Sequence, residues 1–471
     1  MRYKQLAEKF IEDIQHRRLQ PGQRLPSLRR LAAQYEVSLT TALNCYHRLE
    51  ELGWARAQPQ SGFFAAQPLL AEKTPHLPTF TSRTADPIAT HNRRHVTDPG
   101  PLGLSLLAST LLPTAALQRS LRRASRQQGT QVHLYPQAQG ELALRRALSK
   151  HFSRYDFHFS EQALVVTNGC IDAVRTAIEV TTRPGDAVAI SSPCFSGLLQ
   201  LLAQMQRQVV EIPSTVEGVD LRQLERHMQQ GNIQAGLFNC SHMNPTGITL
   251  SADQKQQLAQ LAARYRVPVI EDDIYLELGY QRTPPVPAQH WNREGYLLWC
   301  GSVSKTLSAG YRLGWCLPGR YFEAYQQQRL RESYGVSSPI QLAVADFISS
   351  DQYHRHLNAL RPQLARQVAD YRDYMIDSLP DTVRISAPQG GLVLWIQLPG
   401  LDSAALAQQA ERQNLDIRIG ADFSTLDYYA DCFRINCGWP LSDAEGQPSA
   451  ASEQLGQLVE LVLNNWASCS G

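Results

Sequence analysis

Helical stretches alternate with short apolar strands from Leu104 onward, and this rhythm restricts the fold more than any other feature of the chain. The predicted strands are Ala163–Thr167, Ala187–Ser191, Gln208–Ile212, Ala235–Asn239, Val267–Glu271 and Leu297–Gly301. Strands joined through helices pair in parallel, because each crossover returns the chain to the same end of the sheet. The sequence therefore predicts an α/β domain with a mostly parallel sheet over residues 101–338.

A different pattern follows over residues 339–471, where long helices precede predicted strands at Gly391–Leu398, Asp416–Ile419 and Cys432–Gly438. This favours a second, smaller α+β domain. A chain of 471 residues is long enough for two or three domains. No apolar run approaches the roughly 18 residues of a membrane span, and the first residues lack the apolar core of a signal peptide. We therefore expect a cytoplasmic protein that does not contact a membrane.

Nine cysteines occur, none of them in a Cys-x-x-Cys pair. In a cytoplasmic protein this spacing indicates reduced thiols rather than disulfides or a zinc site. We expect no bound metal.

The first 66 residues read as a small separate domain. A helix is predicted over residues 3–18, Ser27 and Ser38 can each cap a further helix, and two short strands follow around Gln58-Pro-Gln-Ser. Two short helices, a turn and a β-ribbon are typical of a winged helix-turn-helix. This segment holds ten Lys and Arg against six Asp and Glu, whereas the rest holds 35 against 37. A basic head on a faintly acidic body indicates a nucleic-acid reader.

Residues 67–100 are rich in Pro, Thr, His and Arg and are predicted to be a linker.

Within this head, Arg24-Leu-Pro-Ser-Leu-Arg29 and the Gly62-Phe-Phe end of the wing resemble the GntR type of winged helix. The resemblance implies binding to double-stranded operator DNA. The implied DNA-binding positions are Arg24, Ser27, Arg29, Thr40, Thr41, Asn44, Gln60, Ser61 and Gly62. Many relatives carry arginine where this chain has Leu39, so a sequence preference cannot be carried over. The alternative is a winged helix used for protein contact, with Arg29 merely solvated.

Lys305 follows the predicted strand Leu297–Gly301 and lies between Ser302 and Arg312. A lysine flanked by a hydroxyl and a guanidinium suits a Schiff base to a phosphorylated aldehyde, since the amine forms the imine while its neighbours hold the phosphate. Backbone N–H groups of Gly169 and Cys170, where residues 168–170 open a helix, make an anion site for the same phosphate.

Five such motifs follow in the order expected of fold-type-I pyridoxal phosphate enzymes, and residues 100–470 resemble their class I aminotransferases. The resemblance implies pyridoxal 5′-phosphate as cofactor and Lys305, Asp272 and Tyr275 as catalytic residues. The implied cofactor-binding positions are Tyr135, Asn168, Gly169, Cys170, Phe195, Asn244, Asp272, Tyr275, Ser302, Ser304, Lys305 and Arg312.

The resemblance also implies individual roles. Asp272 would pair with the pyridine nitrogen, a role for which Asp273 is the rival, and Tyr275 and Asn244 would bond the phenolic oxygen. Phe195 would stack on the ring. Tyr135 would reach the partner's phosphate across a dimer. Arg434 would bind the α-carboxylate of an amino acid.

A GntR-type head on an aminotransferase-like body resembles the MocR/GabR subfamily of bacterial regulators and looks closest to its YdcR-like members. The resemblance implies a head-to-tail, domain-swapped homodimer that regulates transcription and senses an amine or amino acid through the coenzyme. Two alternatives stay open. One is an active aminotransferase with an attached DNA-binding head, and the other is a sensor of pyridoxal phosphate itself.

Overall fold

The structure is a computed structural model and describes residues 2–15, 18–19, 23–51, 54–58, 62–65, 73–87, 100–129, 133–443 and 445–469. The chain divides into two compact units, Met1–Thr74 and Pro75–Gly471. We call them the head and the body.

The described part of the head contains α1 (Arg2–Gln15), α2 (Leu28–Gln34), α3 (Leu39–Glu51), β1 (Ala55–Gln58) and β2 (Gly62–Ala65). The two predicted N-caps are confirmed, since Ser27 Oγ accepts from the Arg30 N–H and Ser38 Oγ from the Thr41 N–H. The helices bury a shared apolar core, and β1 pairs antiparallel with β2. The predicted winged helix-turn-helix is therefore confirmed.

The body contains a large and a small sheet. Its strands are β3 (Thr84–Ala85), β4 (Val165–Thr167), β5 (Ala187–Ser192), β6 (Gln208–Thr215), β7 (Gly218–Val219), β8 (Ala235–Phe238), β9 (Val269–Asp272), β10 (Leu297–Ser302), β11 (Gly314–Leu317), β12 (Arg384–Ile385), β13 (Val393–Gln397), β14 (Arg418–Ile419) and β15 (Cys432–Asn436).

The helices of the body flank both sheets. They are α4 (Gly100–Gly103), α5 (Thr114–Gln128), α6 (Leu142–Ser153), α7 (Cys170–Thr181), α8 (Ser196–Gln204), α9 (Leu221–Gln229), α10 (Ala252–Tyr265), α11 (Phe322–Glu332), α12 (Ser338–Ser349), α13 (Gln352–Ser378), α14 (Ser403–Arg412) and α15 (Ala450–Cys469). None of the described helices is both long and apolar enough to cross a bilayer.

The large sheet has the order β3-β6-β5-β8-β9-β10-β11-β4. Its central strands β6, β5, β8, β9 and β10 are parallel, as predicted, and their carboxyl ends meet at one edge. Strand β11 runs antiparallel to both of its neighbours and was not predicted. The small sheet, in the order β12-β13-β15-β14, is wholly antiparallel and confirms the smaller α+β domain.

The expected boundary at residue 338 falls too early in the chain. Helix α12 packs on α5 and α6, and Phe347 and Tyr353 share a core with Trp299 of the large sheet. The small-domain core begins later, with Val368 of α13, and also takes in Leu102 of α4. Apolar spacing shows that a helix buries one face, but it does not show which neighbour covers that face.

Residues 75–87, which we call the strap, lie against the body although they belong to the predicted linker. Ser82 is buried, and its N–H and hydroxyl both donate to Gln223 Oε1 of α9, at 2.9 and 3.0 Å. In β3, Thr84 pairs with Val210 of β6. The linker prediction is therefore wrong over these residues. They show no periodicity of their own because a partner such as Gln223 lies 141 residues away.

The strap also contacts the small domain. The His76 N–H donates to Gln397 Oε1 of β13 at 2.8 Å. The ring of Phe80 stacks on Tyr428, with centroids 5.1 Å apart. One short segment thus touches both halves of the body.

Candidate functional site

Lys305 lies just beyond the carboxyl end of β10, on a tight loop. The strand itself is buried throughout, whereas Lys305 is only half-buried. Its Nζ donates to the carbonyl of Ser105 at 2.6 Å and lies 5.8 Å from the centroid of the Tyr275 ring. The amine is therefore held at the sheet edge where ligands of parallel α/β folds bind.

Asp272 ends strand β9, which pairs in parallel with β10, the strand that precedes Lys305. Its buried carboxylate accepts a hydrogen bond from Cys170 Sγ at 3.0 Å. Burial raises the pKa of Asp272 to about 6, while the Cys170 thiol and, more weakly, Lys305 act in the opposite direction. Asp273 instead accepts from Trp299 Nε1 at 3.2 Å, inside the core. Of the two acids, Asp272 is the one that the structure places with Lys305.

Tyr275 connects the lysine to two further polar groups. Asn244 Nδ2 donates to the Tyr275 hydroxyl at 3.3 Å, and Ser105 Oγ lies 2.9 Å from the same oxygen. The buried Oδ1 of Asn244 has no partner among the described residues. Ser105 was not predicted, and its surroundings in the sequence contain no motif that would have singled it out.

Arg312 lies over the N-terminus of α7, where Gly169 is the N-cap. Its Nη2 donates to the carbonyl of Asn168 at 3.2 Å. Gly169 has φ +97°, and a Cβ built there would come within 2.6 Å of Arg312 Nη2. A Cβ on Gly314 would come within 2.5 Å of the Gly169 backbone. Glycine at both positions therefore lets the Arg312 guanidinium and the backbone of β11 approach the N-terminus of α7, a combination that suits an anion.

Two hydroxyls border this cradle. Ser302 Oγ donates to the Leu313 carbonyl at 2.9 Å and accepts from the Ser304 N–H at 3.0 Å. The two serine Oγ atoms are 2.7 Å apart. Both predicted serines thus lie between Lys305 and the strand that follows Arg312.

The two predicted aromatic residues, Phe195 and Tyr135, differ in their position relative to the site and in their exposure. Phe195 precedes α8 and is half-buried beside the core that contains Cys170. Tyr135 is 86% exposed, and its ring contacts the exposed Tyr334 at 5.6 Å. The structure of one chain therefore brings Phe195 near the site and leaves Tyr135 on the surface.

Arg434 lies in β15, in the middle of the small sheet. It is 3% exposed, and its Nε and Nη1 have no partner among the described residues. Burial lowers the pKa of Arg434 to about 10, and the charge of Arg418 acts in the same direction, whereas the Tyr275 hydroxyl acts against them. A buried cation with unfilled donors is costly unless an anion reaches it.

In the head, the predicted DNA contacts are mostly exposed. Arg24, Ser27, Arg29, Thr40 and Asn44 are exposed, and Thr41 is half-buried. Gly62 lies on the wing near the Arg24 guanidinium. Gln60 and Ser61 lie outside the described residues.

Two family models match the chain. The model for bacterial regulatory proteins of the gntR family matches residues 2–65, and the model for class I and II aminotransferases matches residues 104–445. The HTH-type transcriptional regulator YdcR of Escherichia coli K12 is 34% identical over 467 residues, which cover 98% of this chain and 99% of that protein. The regulator YjiR of the same organism is 31% identical over 475 residues, which cover 97% and 98%.

Solved aminotransferases share the fold of the body. The multiple substrate aminotransferase of Thermococcus profundus matches with a TM-score of 0.70 at 20% identity, over 79% of this chain and 93% of its own. The kynurenine aminotransferase of Pyrococcus horikoshii matches with a TM-score of 0.70 at 22% identity, over 78% and 92%.

Proposed function

The chain belongs to the GntR-type transcription regulators that carry an aminotransferase-like domain, and from this premise we propose that it regulates operator binding through an amino acid held at a pyridoxal 5′-phosphate site. The fold family of the body implies this coenzyme. The observation that carries the proposal is Arg434, a buried guanidinium in the small domain, two of whose nitrogen atoms have no partner in the described part of the chain.

The residues present fit the coenzyme. Arg312, Ser302 and the N-terminus of α7 would hold its phosphate, and the glycines leave room for it. Asp272 would face the ring nitrogen, and Asn244 Nδ2, which donates one N–H to Tyr275, has a second N–H that could donate to the phenolic oxygen. When bound, pyridoxal phosphate supplies an aldehyde that condenses with primary amines and a ring that withdraws electrons.

The protein's own groups then have defined tasks. The Asp272 carboxylate, facing a protonated ring nitrogen of the coenzyme, would stay ionised, although burial raises the pKa of Asp272. Tyr275, held by Asn244 and Ser105, can donate a proton from its hydroxyl. Whenever its Nζ is not bonded to the coenzyme, Lys305 would be able to accept a proton.

Arg434 gives the site its selectivity for ligands. Its Nε and Nη1 have no partner among the described residues, so the guanidinium has donors left for a carboxylate, a group that a simple amine lacks. The proposed ligand is therefore an amino acid rather than an amine or the coenzyme alone.

The test uses the full chain loaded with pyridoxal phosphate. Borohydride reduction followed by peptide mapping should place the coenzyme on Lys305. Footprints upstream of the chain's own gene and of its divergent neighbour should then change with one or more L-amino acids but not with the matching decarboxylated amines. A protein that stays colourless and unreactive to borohydride would overturn the proposal.

A second function, transamination, is favoured by the complete set of Lys305, Asp272, Tyr275 and Arg434. Multiple-turnover assays with an amino-acid panel and 2-oxoglutarate separate the two. Rapid formation of oxo acid would favour an enzyme, whereas a spectral change without turnover would favour a sensor.

For the head we propose that Arg29 binds a phosphate of the operator. Arg29→Ala should weaken binding to all sequences alike and reduce the salt dependence by about one counterion. The exposed Arg222 in the body offers the control variant Arg222→Ala, which should leave both quantities unchanged. A change confined to one operator sequence would instead indicate base contact.

We further propose a head-to-tail homodimer, acting in the cytoplasm, in which Tyr135 reaches the partner's coenzyme. The exposure of Tyr135 and Tyr334 supports this placement, because large exposed rings commonly mark interfaces. Sedimentation would test the dimer. A mixture of Tyr135→Phe and Lys305→Ala chains would test whether the two subunits share a site.

A further inference from the structure

A buried chain of hydrogen bonds lies directly behind Lys305. The next residue, Thr306, is buried, and its Oγ1 lies 2.9 Å from the hydroxyl of Tyr353. Its carbonyl accepts from His356 Nε2 at 2.7 Å. Tyr353 and His356 are three residues apart on α13, so they share one face of that helix. The side chain and the backbone carbonyl of Thr306 are therefore both hydrogen-bonded to α13.

This series of hydrogen bonds ends at the buried carboxylate of Glu277. The Tyr353 hydroxyl donates to Glu277 Oε2 at 2.6 Å, and His151 Nε2 lies 2.5 Å from the other oxygen. Because the Tyr353 hydroxyl donates its single hydrogen to Glu277, the Thr306 hydroxyl must be the donor in the bond to Tyr353. Burial alone would raise the pKa of Glu277, but His151 and Tyr353 bring it below its ordinary value. The order of donors is thus set by a carboxylate that stays ionised.

Glu277 also belongs to the segment that carries Tyr275. Its backbone carbonyl accepts from Arg361 Nε of α13 at 2.8 Å. The two loops that present the phenol and the lysine are therefore bound to the same helix through different atoms of one short network.

Helix α13 continues from this network into the small domain. Tyr353 and Leu357 lie in the large-domain core, whereas Tyr371 and Met375 lie in the core shared with β15, the strand of Arg434. The 18 helical steps from Tyr353 to Tyr371 span about 27 Å of α13, a stretch that contains Pro362. The helix that fastens Thr306 is thus also part of the domain that would bind the ligand's carboxylate.

We propose that Thr306 is a positioning residue for Lys305, and that Tyr353 and Glu277 act through it to hold the amine in place against Tyr275. This inference rests on the proposed coenzyme site. The network explains why hydroxyl-bearing side chains lie in an otherwise apolar core, and it assigns α13 the task of linking the position of the lysine to the small domain.

The experiment compares Thr306→Val and Tyr353→Phe, which each remove one hydroxyl, with the conservative control Thr306→Ser. In the coenzyme-loaded full chain, the pH midpoint of the visible absorbance should shift by about half a unit or more in both variants, and in the same direction. The double variant should shift no further than the larger single one, because both changes break the same link. Thr306→Ser should match the wild type.

Each other outcome is decisive. If the melting temperature falls while the midpoint stays fixed, the network is merely structural and the inference is overturned. Shifts that add in the double variant would mean that the hydroxyls act separately, which also overturns it. If borohydride fails to attach the coenzyme to Lys305 in the wild type, the proposed function itself fails, and this result is distinguishable from the other two.

Discussion

The lysine side of the site and its arginine side differ in how many of their polar groups are satisfied. On the lysine side, Lys305, Asp272 and Ser302 each have a hydrogen-bond partner within the chain. On the arginine side, Arg434 is buried with two nitrogen atoms unpartnered among the described residues. An unsatisfied buried charge destabilises the folded chain, and an anionic ligand would relieve that cost. Under the proposed function, the lysine side, apart from Asn244 Oδ1, is therefore organised in advance, whereas the arginine side is completed when the ligand binds.

The most severe way to break this comparison is to remove the amine. Lys305→Ala should abolish the visible absorbance and the incorporation of coenzyme by borohydride, because no other described lysine lies at the site. Absorbance spectra and mass spectrometry check this. Lys255→Met is unsuitable as a control because that lysine is buried, so the half-exposed Lys73 should be changed instead. Persistent absorbance would show that Lys305 is wrongly assigned.

Removing the guanidinium tests the unsatisfied side. Arg434→Met should weaken binding of the effector amino acid by about 4 kcal/mol, close to a thousandfold, because its carboxylate loses a buried partner. The same change should not lower the stability of the ligand-free protein, since it removes an unpaired buried charge. Calorimetry and urea unfolding measure the two effects. Equal weakening toward a decarboxylated amine would contradict the assigned role.

Asp272 offers a test through pH on the lysine side. Burial raises its pKa from 3.8 to about 6, so the coenzyme-free folded chain holds the proton more tightly than the unfolded chain. The resulting stability is complete below pH 3.8 and is lost as the pH rises through 6. Asp272→Asn, which stays neutral, should therefore exceed the wild type by on the order of 3 kcal/mol at pH 8 and match it near pH 4.

Urea unfolding of the coenzyme-free protein at both pH values measures this difference. The exposed Asp381 provides the control variant Asp381→Asn, for which no such pH dependence is expected. A difference in stability that is the same at pH 4 and pH 8 would show that the Asp272 carboxylate is not destabilised by burial.

The smallest expected effect concerns the thiol beside Asp272. Cys170→Ala removes a donor to the carboxylate and should raise the pKa of Asp272 further, with a stability loss of about 1 kcal/mol at pH 8. Cys170→Ser keeps a donor and should behave like the wild type. Carboxyl titration by carbon NMR in the coenzyme-free protein measures the shift. An unchanged titration in Cys170→Ala would rule out a role for the thiol.

Local sequence signals explain which parts of this fold could be predicted. Ser27 and Ser38 were recognised as N-caps because a cap bonds backbone only two or three residues away. Asp272 and Lys305 are predicted together because each follows an apolar strand, and parallel strands bring their carboxyl ends together. Both kinds of inference use information that lies within a few residues.

The features that were not predicted depend instead on residues far apart in the sequence. Ser105 reaches Tyr275 across 170 residues of chain, and Thr306 reaches Tyr353 across 47. Strand β3 has two residues and is ordered only by β6. No local periodicity reports such pairings, because their free energy comes from tertiary contacts rather than from propensity. The predicted site therefore consists of residues in local motifs and lacks the groups that contact them across the fold.

The strap limits where this protein tolerates changes of length between its head and its body. A run of glycine and serine inserted just before Pro75 adds free chain, and each doubling of such a segment costs only about 0.6 kcal/mol. The same insertion between Phe80 and Thr84 would pull apart a stacked ring and a strand that are held from opposite sides. Homologues and engineered chimaeras should therefore vary in spacing upstream of residue 75, whereas the next ten residues keep a constant length.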